Sequence, residues 1–298
     1  MRKPSPRRHR SPSYVTIVRT RLDTLAEHVL TAAQLRSTCE WVRRSGRLPA
    51  SHSFRRFVSE LVQAHLIAPA RLEFAAPYST VIRYTHGDST LLQVVASVRA
   101  TGYFSHYTAL YLHQLTEQSP RTVYFNVEQS PKPAPAAAPT QATIAAAFKG
   151  RQRTTRCVAE FRGHRVHILS GKNSGNAGVE DLVTPHDGTL RVTSLERTLI
   201  DATVRPAYSG GVQEVLNAFR TAAPRASHER LLDLLDHLDY AYPYHQAIGF
   251  YMERAGGYPA TALEALRARG LSLDFYLAHR MGDPEYRPEW RLFVPRGL

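Results

Sequence analysis

Cysteine is scarce in this chain of 298 residues, which holds only Cys39 and Cys157. A disulfide framework or a cysteine-built zinc site needs more, so both are excluded and a cytoplasmic, reducing compartment is expected. Long apolar runs are missing as well. No eighteen consecutive residues are apolar, so no transmembrane helix and no membrane partner are expected. The N-terminus, M-R-K-P-S-P-R-R-H-R-S-P-S, lacks the apolar segment of a secretory signal. Pro4, Pro6 and Pro12 prevent a continuous amphipathic helix there, and residues 1–19 read as a disordered basic arm.

Also missing is any set of residues that names a reaction: there is no nucleophile–base–acid constellation and no carboxylate pair within a motif. His164 and His167 are three apart on a strand pattern, hence on opposite faces, and do not make a metal pair. The segment S-G-K-N-S-G-N-A-G at 170–178 is not a phosphate loop, because Val166 stands where glycine is required and Asn173 follows Lys172. It reads as a mobile surface loop. No catalytic residue, metal or cofactor is expected, and the protein is read as a non-enzyme.

What the chain does have is positive charge, unevenly spread. Residues 1–99 hold 16 Lys/Arg against 6 Asp/Glu, and the remaining 199 hold 22 against 19. A basic head and a near-neutral body point to a polyanion-binding module joined to a module with another task. The head, residues 20–88, reads as helix, helix, turn, helix and a two-stranded wing. A first helix is expected near Leu22–Leu30, and Thr31 caps a second bearing Leu35, Cys39 and Val42. Ser51 is placed to cap a third helix running to about His65, and Arg71–Tyr84 reads as two strands. That order predicts a winged helix-turn-helix.

On that reading the third helix enters the major groove of double-stranded DNA. His52, Ser53, Arg55, Arg56 and Ser59 lie near base edges, while Arg43, Arg44, Arg47, Arg71 and Arg83 grip phosphates. No aromatic residues interleave with the third-helix arginines, which favours duplex DNA over single-stranded RNA. Two-fold operators, inverted repeats, would favour a dimer on DNA.

The body, residues 89–298, alternates helical and strand patterns. It predicts a mixed α/β domain with small antiparallel sheets, a Pro/Ala loop or linker at 130–140 and a helical end. The fold class expected for the whole chain is therefore α+β. Thr193 and Glu196 fit a capping box, and Arg197 and Asp201 are spaced to pair on one helical face, a complete structural explanation for these residues. Asp233, Asp236 and Asp239 form an acidic ridge whose default role is a solvated face.

Two body segments carry a family likeness. G-Y-F-S-H-Y-T-A-L-Y-L-H-Q-L-T at Gly102–Thr116 resembles a segment of the AbiEi antitoxin family of type IV toxin–antitoxin, abortive-infection systems. V-T-S-L-E-R-T-L-I-D at Val192–Asp201, followed by Arg205-Pro206 and by Ser209-Gly210-Gly211, resembles that family's second segment. With the basic head ahead of them, the resemblance covers roughly residues 20–255. It implies a DNA-binding autorepressor and phage-defence antitoxin that counteracts a nucleotidyltransferase-like toxin. It leaves a recognition surface open for Tyr103, His106, Glu196, Arg197 and Asp201. The competing reading from another class is a nucleic-acid-targeted enzyme, a nuclease or nucleotide-modifying protein carried by the same basic head.

Overall fold

A computed structural model describes residues 13–25, 27–133 and 137–298. The expected basic arm before residue 13, and residues 134–136 of the Pro/Ala tract, lie outside these. The chain divides into two compact units, residues 1–100 and 101–298.

Unit 1 contains helix α1 (Ser13–Asp23), strand β1 (Val29–Leu30), helices α2 (Ala32–Arg44) and α3 (Phe54–Gln63), strands β2 (Ala68–Phe74) and β3 (Val81–Thr85), and the short helix α4 (Leu91–Ala96). α2 begins where the sequence predicts: Thr31 accepts from the Gln34 backbone N–H and Gln34 returns the bond, a full capping box. The first helix starts earlier than expected, and Val29 and Leu30, expected at its end, pair instead with Thr85 and Tyr84 of β3. The cap of α3 is Ser53 rather than Ser51, its hydroxyl accepting from the Arg56 backbone N–H at 3.2 Å. One core joins the helices through Val18, Leu22, Leu35, Cys39, Val42, Phe57 and Leu61, each 2% exposed or less.

Unit 2 opens with β4 (Tyr103–Phe104), α5 (His106–Leu112), β5 (Thr122–Glu128), α6 (Gln141–Lys149), β6 (Val158–Phe161), β7 (His164–Gly171), β8 (Val179–Thr184) and β9 (Gly188–Thr193). Helices α7 (Leu195–Val204), α8 (Val212–Ala222), α9 (His228–Leu238), α10 (Tyr244–Ala255) and α11 (Ala260–Arg267) follow. The chain closes with β10 (Phe275–Tyr276), β11 (Pro284–Arg287) and β12 (Leu292–Pro295). The central helix α10 buries Ile248, Phe250, Tyr251 and Met252 among Leu199, Ile200, Leu216, Phe219 and Trp290. Gly249 is required there, because a Cβ at that position would stand 2.2 Å from the Trp290 ring.

The strand topology corrects the expected architecture of a winged helix-turn-helix followed by small antiparallel sheets. Strands β1 to β9 belong to a nine-stranded mixed sheet, unit 1 supplying the run β1-β3-β2 and unit 2 the run β6-β7-β5-β4-β9-β8. The hairpins β6–β7 and β8–β9 are antiparallel, but β5 runs parallel to β7 over seven residue pairs and β4 runs parallel to β9. A separate three-stranded sheet, β10-β12-β11, stands where a helical end was expected to finish the chain. Local patterning misses this because parallel partners are joined through crossovers, and nothing near either strand in sequence records the pairing.

Candidate functional site

α3 presents its N-terminal residues to solvent. Phe57 and Leu61 fix its inner face, and Ser53, Arg55, Arg56 and Ser59 are exposed. Arg55 and Ser59, four apart, share a face. Arg55 makes no ion pair or side-chain hydrogen bond among the described residues, and the same holds for exposed Arg44, Arg47 and Arg71. These four are unspent cations.

The remaining candidates are engaged within unit 1. Arg56 donates to Glu60 at 2.9 Å, and the largely covered His52 ring lies 3.3 Å from the same carboxylate. Tyr14 also donates to it. Burial opposes ionisation of Glu60, but these hydrogen bonds hold its carboxyl below the ordinary range. Arg43 pairs with Glu40 and donates to the His52 carbonyl at 3.0 Å, tying the end of α2 to the approach to α3. Arg83 corrects an expectation. Its guanidinium donates to the carbonyls of Ile82, Ser97 and Val98 at 2.7–3.2 Å and is half-buried, so it positions backbone and has no hand free for a phosphate. Burial, with Arg99 nearby, lowers its pKa.

In unit 2 the five residues expected to form a recognition surface, Tyr103, His106, Glu196, Arg197 and Asp201, are all buried, at 0–8% exposure. They hold the unit together. β4 runs beside β9 with Phe104 opposite Val192, and His113 Nε2 lies 2.6 Å from the Thr193 carbonyl, so the two family-like segments are neighbours. Arg197 donates to Asp201 at 2.8 Å, to the Ala177 carbonyl at 2.6 Å and to Ser174 at 3.3 Å. Burial works against the Arg197 charge, but Asp201 beside it raises its pKa. The expected capping box at Thr193 is corrected. Ser194 caps α7 by accepting from the Arg197 N–H, and Glu196 instead accepts from the Ser227 N–H at 3.1 Å, the start of α9.

The 171–178 loop is tied down rather than loose. Glu128 accepts from the backbone N–H groups of Ser174 and Asn176, at 3.0 and 3.3 Å, and from Tyr103 at 3.2 Å. Lys172 donates to the carbonyls of Leu238 and Asp239. The family-like residues and the glycine-rich segment are therefore one internal clasp.

His106 sits at the start of α5 with φ +53°, its Nδ1 2.8 Å from the Ser105 hydroxyl and its ring packed edge-on against Tyr208. Burial lowers its pKa to about 4. The folded protein holds this imidazole neutral while the unfolded chain protonates it near its ordinary 6.5. Its contribution is complete above pH 6.5 and is lost as pH falls toward 4, an effect of about 3 kcal/mol. Urea unfolding from pH 7 to pH 4 checks this: His106→Asn, which tolerates positive φ and does not titrate, should flatten the decline.

A further group of cations escaped the sequence reading. Residues 121–172 carry nine Lys/Arg against two Asp/Glu, while the rest of unit 2 carries thirteen against seventeen. Arg121, Arg151, Arg153, Arg156 and Arg165 are exposed, and their side chains make no ion pair among the described residues. A running charge count would have found them, since the near-neutral total of the body averages two opposite regions.

Among the described residues no His/Cys/Asp/Glu group is placed to hold a metal ion, and no helix is long and apolar enough to cross a membrane. No protein-family model matches the chain, and no curated protein matches it. Its fold is similar to that in the crystal structure of the RV2827C protein from Mycobacterium tuberculosis. The TM-score is 0.58 and the identity 16%, over 95% of this chain and 92% of that one. At that identity the likeness concerns the fold alone.

Proposed function

We propose that the protein is a sequence-specific DNA-binding repressor of its own operon and an antitoxin, with unit 1 as the reader of duplex DNA. The observation that carries the DNA reading is the set of exposed, unpaired arginines around α3: Arg55 on the helix, Arg44 and Arg47 before it, and Arg71 on β2. A protein that kept these only for solubility would have no reason to place them beside a helix start whose Ser53 and Ser59 are also free to reach a base edge. Arg55 and Ser59 serve as base contacts, and Arg44, Arg47 and Arg71 neutralise phosphates. The arginines of residues 121–165 supply a second set of sequence-blind phosphate contacts. The antitoxin half of the reading is supported by the resemblance at Gly102–Thr116 and Val192–Asp201, two segments that lie side by side.

The direct test is binding of the full chain to DNA from upstream of its own gene against a scrambled duplex, across a salt series. Tighter binding to the upstream DNA, by at least about 1,000-fold, is expected of a specific reader. Equal affinity for both duplexes would overturn it.

A further inference from the structure

The end of α9 and the start of α10 enclose a small open cavity of about 190 Å³. Its walls include Tyr240, Tyr242 and Tyr244, with Asp236, Asp239 and Arg269 at their side. The three tyrosine rings stand edge to face, Tyr240 against Tyr244 at 5.3 Å and Tyr242 against Tyr244 at 6.2 Å. Phe275 supports Tyr244 from behind at 5.2 Å. The arrangement is a rigid aromatic corner.

The charges around it are unequal. Arg269 is spent, both carboxylate oxygens of Asp236 taking its hydrogen bonds at 2.6 and 3.0 Å. Lys172 is spent on the Leu238 and Asp239 carbonyls, and its ammonium lies 5.6 Å from the Tyr240 ring centre. The Asp239 carboxylate has no partner among the described residues. The C-terminus of α9 adds the negative end of a helix dipole, which already draws Lys172. What remains unneutralised is negative and faces aromatic surface.

We infer that this cavity is a binding site for a cation of side-chain size, the guanidinium of an arginine presented by a partner protein. Guanidinium is favoured over ammonium because its flat face stacks on tyrosine while its N–H fork reaches a carboxylate such as Asp239. Size agrees: ligand pockets for whole small molecules begin near about 300 Å³, so this one takes one side-chain head and excludes a nucleotide or cofactor. The site is independent of the DNA reading, since it attracts the charge opposite to a phosphate.

The probe is N-acetyl-arginine N-methylamide, titrated into the full chain with the tyrosine ring signals followed by NMR, beside the citrulline counterpart, which keeps the shape and loses the charge. Shifts confined to Tyr240, Tyr242 and Tyr244, at least fivefold weaker with citrulline, are expected. Asp239→Asn, an isosteric change that also tolerates this residue's positive φ of 40°, should weaken binding about fivefold, as should Tyr242→Leu. Asp233→Asn, on the same helix but outside the cavity, should leave it unchanged. Equal binding of citrulline would overturn the proposal, and so would equal losses at Asp233 and Asp239, which would mean attraction to the acidic ridge as a whole. If Asp239→Asn fails to fold, the Tyr242→Leu result decides alone.

Discussion

Replacing Asp201 by alanine is expected to destabilise unit 2 by about 3–5 kcal/mol, the cost of leaving a buried charge without its partner. Arg197 is 4% exposed and would keep its charge, with only Ser174 and the Ala177 carbonyl left to hold it. For a unit of this size the melting temperature should fall by roughly 6–20 °C. The damage should spread beyond α7, because Arg197 also fixes the 171–178 loop. Limited proteolysis should therefore cut that loop first. A double change, Arg197→Met with Asp201→Leu, removes both charges and should recover most of the loss. Calorimetry on the single and double variants checks both statements. An unchanged melting temperature in Asp201→Ala would show that the pair does not carry the structural role given to it.

The second large effect concerns DNA. Changing Arg44, Arg47 and Arg55 together to alanine should lower affinity for the upstream duplex on the order of 10²–10³-fold, each lost contact being worth about 1–2 kcal/mol. The slope of log affinity against log salt should become shallower by about 0.9 for each lost phosphate contact. The single variants should separate by role. Arg55→Ala relaxes sequence preference, whereas Arg44→Ala and Arg47→Ala weaken all duplexes alike. Arg56→Ala should have the smallest effect on the α3 face, because its guanidinium is already held by Glu60. Gel-shift or fluorescence titration with both duplexes reads every part of this. Loss of binding with Arg56→Ala but not with Arg55→Ala would reverse the assignment.

Much of the local structure is legible in the residues. Thr31 with Gln34 marks the start of α2, and the apolar spacing of Leu35, Cys39 and Val42 marks its buried face. Arg162-Gly163 and Asp187-Gly188 mark the two hairpin turns, where Arg162, Gly163 and Gly188 do adopt positive φ. Cap positions are less legible where serines or threonines cluster. Ser51 and Ser53 both suit α3, as Thr193 and Ser194 suit α7, and packing of the following apolar residues selects between them.

The functional side chains divide in the same way. Composition alone places most of the positive charge in the first third of the chain and excludes disulfide and cysteine–zinc chemistry. It also marks Arg44, Arg47, Arg55 and Arg71 as candidates, because exposed cations beside a helix start need no partner to be recognised. Only the tertiary structure decides that Arg83 is consumed by Ser97 and Val98, that Glu60 neutralises Arg56, and that Glu196, Arg197 and Asp201 face inward. It alone joins the strands into a nine-stranded mixed sheet and gathers three tyrosines around an unpaired aspartate. Charge and helical period are properties of neighbouring residues, whereas parallel pairing, burial of a charge and the walls of a cavity are settled between segments tens of residues apart.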